Sequence, residues 1–285
     1  MQNRKYELLL AAVIAARATS FVFSKLVLLS MDKYNLMALR FLAAFVLLVI
    51  VFHREVARGG RRELAAGAAI GFLYYLVMSC ELTALKTTAS STVSLLENCS
   101  ILFVPLFEAL LLKRFPDGTT LLSALTALLG VFCLTAQQGG VSGGVAFGLL
   151  AAALYAAAII LTARVSRKTE HTLCVGIIQV GTIGVLALGS SFAFESPHLP
   201  AGGGQWLMIL VLAVVCTGFG FTLQPVAQSH VSVERAGLFC AINPAIAAVL
   251  GTVILHERFG FFSAAGLLLI LLSIALPSLL RKKSV

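Results

Sequence analysis

The chain has 285 residues, of which 59% are apolar and only 12% are charged, whereas an ordinary soluble domain carries about 25% charged residues. A water-soluble fold of this size would lack the polar residues needed to cover its surface. The formal net charge of +9 does not indicate nucleic-acid binding, because the basic residues cluster in the connections between apolar runs. The composition therefore predicts a multi-pass helical protein whose partner is the lipid bilayer.

Ten apolar runs separated by short polar breaks predict ten transmembrane helices, which at about 20 residues each would use about 200 residues. The runs do not alternate between polar and apolar residues, as the strands of a membrane barrel would. Fifteen of the 21 Lys and Arg residues fall on the side of the N-terminus, three on the opposite side and three within spans. This asymmetry predicts a cytoplasmic-membrane protein with both termini in the cytoplasm. The predicted spans cover residues 6–29, 35–52, 64–82, 89–112, 119–136, 145–163, 173–194, 205–227, 235–255 and 263–280.

A glycine-rich connection over residues 137–144 divides the chain into two halves of five spans each. Lys25 aligns with Arg164 at an offset of 139, and the offset becomes 144 from the third span onward. Because each half has an odd number of spans, the second half must enter the membrane from the opposite side. The sequence therefore predicts an all-α membrane protein of ten transmembrane helices, arranged as two inverted five-helix repeats, an architecture common among secondary transporters. The two repeats are residues 1–137 and 144–285.

Ionisable side chains inside the spans are the candidate functional residues, because a charge at mid-membrane costs about 2.5–3.5 kcal/mol or more. Arg17 lies near the middle of the first span, and Glu97 of the fourth span is its natural counter-charge. One interpretation is an ion pair that locks two helices together. The other is a central cavity in which Arg17 or Arg40 attracts a carboxylate or phosphate, while Glu97 binds a cation or carries a proton. Glu81 is expected at a solvated helix end. The candidate substrate-binding residues are Arg17, Ser20, Arg40, Tyr74, Met78, Ser94, Glu97, Asn98, Gln179, Gln224 and Asn243.

Two prolines within spans are candidate hinges, because proline removes a helical hydrogen bond. They are Pro105 in the fourth span and Pro244 in the ninth, where a simple packing kink is an equal alternative. Tyr155 of the second half aligns near the level of Ala16. The charged positions belong mostly to the first half, which favours one asymmetric substrate over a symmetric ion channel.

One stretch of the second half carries a family resemblance. Asn243–Pro244, followed by an apolar stretch to the motif His256-Glu257-Arg258-Phe259, resembles the ninth-to-tenth-span signature of EamA-type transporters of the drug/metabolite transporter superfamily. Arg40 is similar to the arginine in the family's second span. Lys113 instead occupies a position where the family usually has glutamate. The resemblance implies a membrane transporter for a small molecule, with a homodimer as a candidate assembly.

These observations predict a secondary active transporter that moves an amino acid- or amine-like metabolite across the cytoplasmic membrane by alternating access. Export and proton coupling through Glu97 are part of this prediction. The alternative is an integral-membrane enzyme acting on a lipid or small polar substrate. The sequence does not favour an enzyme, because its histidines lie in or near connections and it has no H-E-x-x-H, G-x-S-x-G or P-loop motif. No cofactor or metal is expected, since the six cysteines form no C-x-x-C pair.

Overall fold

The structure is a computed structural model that describes residues 2–111, 113–115, 118–136, 142–166, 168–169, 171–220, 222, 242–257 and 260–281. Over these residues the chain is helical, with short connections. The helices are α1 (Gln2–Val27), α2 (Lys33–Val51), α3 (His53–Arg58), α4 (Arg61–Thr87), α5 (Ser90–Asn98), α6 (Ser100–Leu111), α7 (Gly118–Ala136), α8 (Gly143–Ser166), α9 (Thr172–Phe194), α10 (Gly203–Val211), which continues into a π-helical segment (Leu212–Phe219), α11 (Ile242–Leu255) and α12 (Phe261–Arg281).

Six stretches of the described chain are long and apolar enough to cross a membrane, which takes about 20 residues. They are Lys5–Val27, Lys33–Val51, Arg61–Thr87, Ser90–Leu111, Gly143–Val165 and Thr172–Phe194. Four shorter apolar helices correspond to the four remaining predicted spans. They are Gly118–Cys133, Gly203–Phe219, Asn243–Leu255 and Phe261–Leu276. The prediction of an all-α membrane protein is confirmed, while the inverted arrangement of ten spans stays a prediction.

Helix α4 is longer than the sequence suggests, and this changes the position of Glu81. The predicted span ended at residue 82, but α4 continues to Thr87. Its start is fixed by the side chain of Glu63, which accepts a hydrogen bond of 3.0 Å from the backbone N–H of Gly60. The extension leaves Glu81 six residues, or about 9 Å, before the helix end. Glu81 is only 3% exposed, so the expectation of a solvated glutamate was wrong.

The predicted fourth span is interrupted between α5 and α6. The break falls at Cys99, whose backbone N–H donates to the carbonyl of Leu96, three residues earlier, at 3.0 Å. A bond of this spacing tightens the turn and ends the α-helical register. Pro105 lies inside α6, so the discontinuity stands two residues after Glu97 rather than at the proline.

The helices pack around two apolar cores. The larger core joins α1, α2 and α4 with α8, α9 and the π-helical segment, and the smaller one joins α5, α7, α8 and α12. Helices α4 and α9 approach closely because α4 has glycine at the contact. A Cβ atom at Gly71 would lie 2.6 Å from Cβ of Thr182. Small residues allow such close backbone approach between membrane helices.

Two glutamates from the second half cap helices of the first half at the end of the bundle where α1 ends, which we call the Lys25 end. Glu195 accepts hydrogen bonds of 3.0 and 2.9 Å from the backbone N–H groups of Tyr34 and Asn35, at the start of α2. Glu257 accepts a bond of 2.7 Å from the backbone N–H of Ser90, at the start of α5. Carboxylates at these positions satisfy N–H groups that a helix leaves unpaired.

Candidate functional site

Arg17 and Glu97 form an ion pair in the interior of the bundle. One guanidinium nitrogen of Arg17, on α1, lies 3.3 Å from Oε1 of Glu97, on α5. The other terminal nitrogen donates to the hydroxyl of Tyr155, on α8, at 3.2 Å. The Arg17 side chain is 15% exposed and that of Glu97 is 5% exposed. Arg17 therefore joins a carboxylate of the first half to a phenol of the second.

Aromatic rings and a glycine fix the position of the Arg17 side chain. The ring of Tyr155 lies 5.9 Å from the guanidinium carbon, within the range of a cation–π contact. Tyr74 of α4 meets Tyr155 edge to face, with ring centroids 5.7 Å apart. A Cβ atom at Gly220 would lie 3.0 Å from Cγ of Arg17, so glycine there leaves room for the aliphatic stem.

Arg40 occupies a second polar position beside the first. Its Nε donates to Oγ1 of Thr217 at 2.7 Å, and a terminal nitrogen donates to Oγ of Ser24 at 3.4 Å. Thr217 belongs to the π-helical segment, and such segments often occur at functional sites. Arg40 is 3% exposed. Ser24 follows Arg17 by seven residues, so Arg40 contacts α1 at a level about 10 Å along the helix axis from the Cα atom of Arg17.

Two arginines and two glutamates balance each other's charge in this region. Glu81 lies within electrostatic range of Arg40, Arg17 and Glu97. Its Oε2 atom is buried without a hydrogen-bond partner among the described residues. We call these four residues the central charges. Buried charges are retained where they are paired or where they bind a ligand, and both a cation and an anion are available here for a bound molecule.

The other predicted site residues are mostly buried. Asn98 donates to the backbone carbonyl of Ser94 at 2.8 Å, within α5. Asn243 has a buried Oδ1 atom without a partner in the described part of the chain, and Pro244 follows it in the first described turn of α11. Gln224 lies outside the described residues. The remaining buried members are Ser20, Met78, Ser94 and Gln179.

Three polar partners of the arginines, Ser24, Tyr155 and Thr217, are absent from the predicted site residues. Tyr155 gave a signal in the sequence, because it aligns near the level of Ala16, one residue before Arg17. Thr217 gave none, because its position depends on a π-helical segment that the apolar sequence of this region does not reveal.

A second polar group, the Glu257 cluster, joins the two halves at the Lys25 end. It consists of Lys25, Thr88, Ser90 and Glu257. Nζ of Lys25 lies 2.9 Å from Oε1 of Glu257 and donates to the backbone carbonyl of Thr88 at 2.8 Å. The Ser90 hydroxyl donates to Oε2 of Glu257 at 2.9 Å. Lys25 follows Arg17 by eight residues, so the cluster lies about 12 Å from the Arg17–Glu97 pair along α1.

Helices of membrane length that pack around paired internal charges are the features of a multi-pass membrane protein with a polar centre. The model of the EamA-like transporter family matches residues 4–136 and 142–279. The chain belongs to that family and is a membrane transporter, as the resemblance of its ninth and tenth spans indicated.

Relatives and a solved structure agree with this assignment. An uncharacterized transporter of Archaeoglobus fulgidus is 27% identical over 277 residues, covering 93% of this chain and 94% of its own length. The uncharacterized transporter YetK of Bacillus subtilis is 25% identical over 274 residues, covering 90% of this chain and 82% of its own length. A protein of known crystal structure is 19% identical, with a TM-score of 0.68, and the match covers 99% of this chain and 98% of that one. The last likeness concerns the fold alone.

Proposed function

We propose that the protein is a secondary active transporter that exports a small zwitterionic metabolite, amino acid- or amine-like, by alternating access. The observation that carries this proposal is the buried Arg17–Glu97 pair, with Tyr155 of the other half bound to the same guanidinium. The cytoplasmic membrane and cytoplasmic termini follow from the distribution of basic residues. Export is the proposed direction of transport.

The packing of the helices supports two inverted repeats. In an inverted repeat, each span of one half should make the same contacts as its equivalent in the other half. The third span, α4, contacts α8 and α9, and its equivalent, the α10–π unit, makes the corresponding contacts with α1 and α2. The contact of α1 with α11 likewise corresponds to that of α8 with the α5–α6 unit, which also occurs. Three further contacts each join a span to its own equivalent: α2 with α9, α5 with α11 and α7 with α12. The family model also matches in two blocks, which supports repeats at 1–137 and 144–285.

Alternating access requires the ends of the bundle to open in turn. At the Lys25 end the Glu257 cluster ties the connection after α11 to α1 and α5. At the other end, the positions aligned with Lys25 and Glu257 are Arg164 and Lys113, which carry charges of the same sign. An equivalent ion pair cannot form there. The asymmetry supports a carrier whose Lys25 end is the more firmly closed.

A zwitterion suits the central charges because it can replace both partners of the pair at once. A substrate carboxylate would accept hydrogen bonds from Arg17, and a substrate ammonium group would bind Glu97. Each buried charge then keeps a partner, which avoids the cost of leaving a buried ion uncompensated. A substrate with a single charge would leave either Arg17 or Glu97 unpaired.

Glu97 is also the group that we propose as the proton carrier. Protonation would remove its charge, so that Glu97 could no longer bind a substrate ammonium group, and the protonated and substrate-bound states would exclude each other. A proton gradient directed into the cell would then favour release of the substrate on the outer side and its export in exchange for protons. Glu97→Gln mimics the protonated state permanently. It is therefore expected to abolish transport driven by a pH gradient.

The test uses purified protein in liposomes and counterflow of radiolabelled amino acids and amines. The wild type is expected to exchange at least one zwitterion, and the double variant Arg17→Gln/Glu97→Gln is expected to exchange none while remaining folded. Glu55→Gln/Arg58→Gln, which neutralises the exposed Glu55–Arg58 pair, is the matched control and should retain exchange. Full exchange by the Arg17/Glu97 variant would refute the proposed site. Chemical conversion of a substrate would indicate an enzyme instead.

A further inference from the structure

A groove between α4 and α8 lies at the end of the bundle opposite the Lys25 end. It encloses a cavity of about 250 Å³. Its surface is mostly apolar, and three basic side chains lie at its edge. The cavity is lined by Arg62, Glu63, Ala66, Leu161, Arg164, Val165, Lys168 and Thr169.

The negative charge at the groove is already engaged, whereas the positive charges are available. Oε1 of Glu63 accepts a bond of 2.8 Å from the Thr169 hydroxyl, and Oε2 accepts the bond from the backbone of Gly60. Within the described ranges, no ion pair involves the three cations. The groove therefore has a surplus of positive charge. The cations are Arg62, Arg164 and Lys168.

The groove opens away from the central charges. Arg164 follows Tyr155 by nine residues, which is two and a half helical turns, so it lies on about the opposite side of α8. Leu161 lies about 120° around the helix from Tyr155. Phe147 and Leu150 share the face of Leu161 through steps of three or four residues, and they are 43% and 48% exposed. Phe147 and Leu150 are therefore exposed apolar surface, which in a membrane contacts lipid, while Leu161 at the groove is partly buried.

We propose that this groove binds an anionic phospholipid. Arg62, Arg164 and Lys168 bind the phosphate, because clustered basic side chains at a helix end recognise anionic head groups. The upper part of one acyl chain enters along Ala66, Leu161 and Val165. The rest of the chain follows the exposed face of α8 toward Phe147, about 21 Å away along the helix. The apolar wall distinguishes this site from one for a soluble anion, which would gain nothing from it.

The experiment measures lipid binding to the full-length protein by native mass spectrometry in detergent. Phosphatidylglycerol and phosphatidylcholine with the same acyl chains are titrated separately, and glycerol phosphate serves as a soluble competitor. The wild type is expected to bind one phosphatidylglycerol more tightly than phosphatidylcholine and to resist the competitor. The triple variant Arg62→Gln/Arg164→Gln/Lys168→Gln is expected to weaken phosphatidylglycerol binding by about 100-fold.

A matched control removes the same number of charges at the same end of the bundle without touching the groove. This variant, Arg54→Gln/Arg58→Gln/Arg61→Gln, is expected to keep binding within about threefold of the wild type. Ala66→Phe fills the apolar part of the groove and is expected to weaken lipid binding while all three cations remain. If a multiple variant does not fold, Arg164→Gln is compared with Arg61→Gln.

Three results would each overturn the proposal. An equal loss in the groove variant and its control would indicate general attraction to the basic end of the protein. Equal affinity for phosphatidylcholine and phosphatidylglycerol would exclude recognition of the negative charge. Displacement of the lipid by glycerol phosphate at a comparable concentration would indicate a site for soluble anions, in which the acyl chain contributes nothing.

Discussion

Replacing both members of the Arg17–Glu97 pair is expected to destabilise the protein no more than replacing either one. Loss of one partner leaves the other buried and uncompensated, at a cost of about 3–5 kcal/mol. The 15% exposure of Arg17 and its bond to Tyr155 favour the lower end of that range. We therefore expect Glu97→Gln and Arg17→Gln each to lower the free energy of unfolding by about 3 kcal/mol.

The double variant leaves two neutral amides that can hydrogen-bond to each other. We expect it to lose about 3 kcal/mol as well, so that the interaction energy from the mutant cycle is about 3 kcal/mol, the upper range for residues in contact. The measurement is unfolding in mixed micelles with increasing dodecyl sulfate, followed by circular dichroism. The exposed Glu55–Arg58 pair provides the control cycle, with an expected interaction energy below about 1 kcal/mol.

An interaction energy for Arg17 and Glu97 as small as that of the exposed pair would refute this reasoning, because the two charges would then be independent. The cycle also separates the two interpretations of the pair. A purely structural pair predicts that the folded double variant still transports substrate. A substrate site predicts that the double variant, although as stable as either single variant, has lost transport.

Three other contacts give predictions of stability and local protection. Glu257→Ala removes the acceptor at the start of α5, and hydrogen exchange measured by mass spectrometry should speed up there by a factor corresponding to about 1–2 kcal/mol; unchanged exchange would contradict the capping role. Gly71→Ala, whose Cβ would collide with α9, should lower the free energy of unfolding by about 1–3 kcal/mol, whereas Gly189→Ala, with open space around it, should be neutral or stabilising. Thr217→Val leaves Nε of Arg40 without its acceptor and should cost about 1–3 kcal/mol, in contrast to Thr217→Ser, which keeps the hydroxyl.

The sequence alone predicted the class of fold and one contact of the candidate site, the Arg17–Glu97 pair. Apolar runs of membrane length are decisive because each must satisfy its backbone hydrogen bonds within the bilayer, which favours helices. Arg17 and Glu97 could be matched because each lies at mid-span depth, where an unpaired charge is costly. Glu81 was misjudged because a polar residue such as Lys86 looks like the end of a span, although the helix continues through it.

Other parts of the site depend on tertiary structure that local patterns do not encode. The break at Cys99 has no glycine or proline beside it, and Pro105 is tolerated inside α6. Thr217 reaches Arg40 from a π-helical segment whose residues, from Leu212 to Phe219, are ordinary for an apolar helix. Charge alone likewise could not reveal that Glu257 would cap a helix from the other half of the chain.

The Glu257 cluster has a consequence for how the empty protein is distributed between its two conformations. Since Arg164 and Lys113 offer no matching attraction at the opposite end, the two conformations differ in free energy, and every 1.4 kcal/mol of that difference is a tenfold ratio of populations. If the Lys25 end lies on the outer side of the membrane, as the proposed cytoplasmic termini require, molecules without substrate are mainly open to the cytoplasm. Transport of substrate from the cytoplasm would then reach half its maximal rate at a lower substrate concentration than transport from outside, whereas the direction of net flow is set by the gradients of substrate and coupling ion.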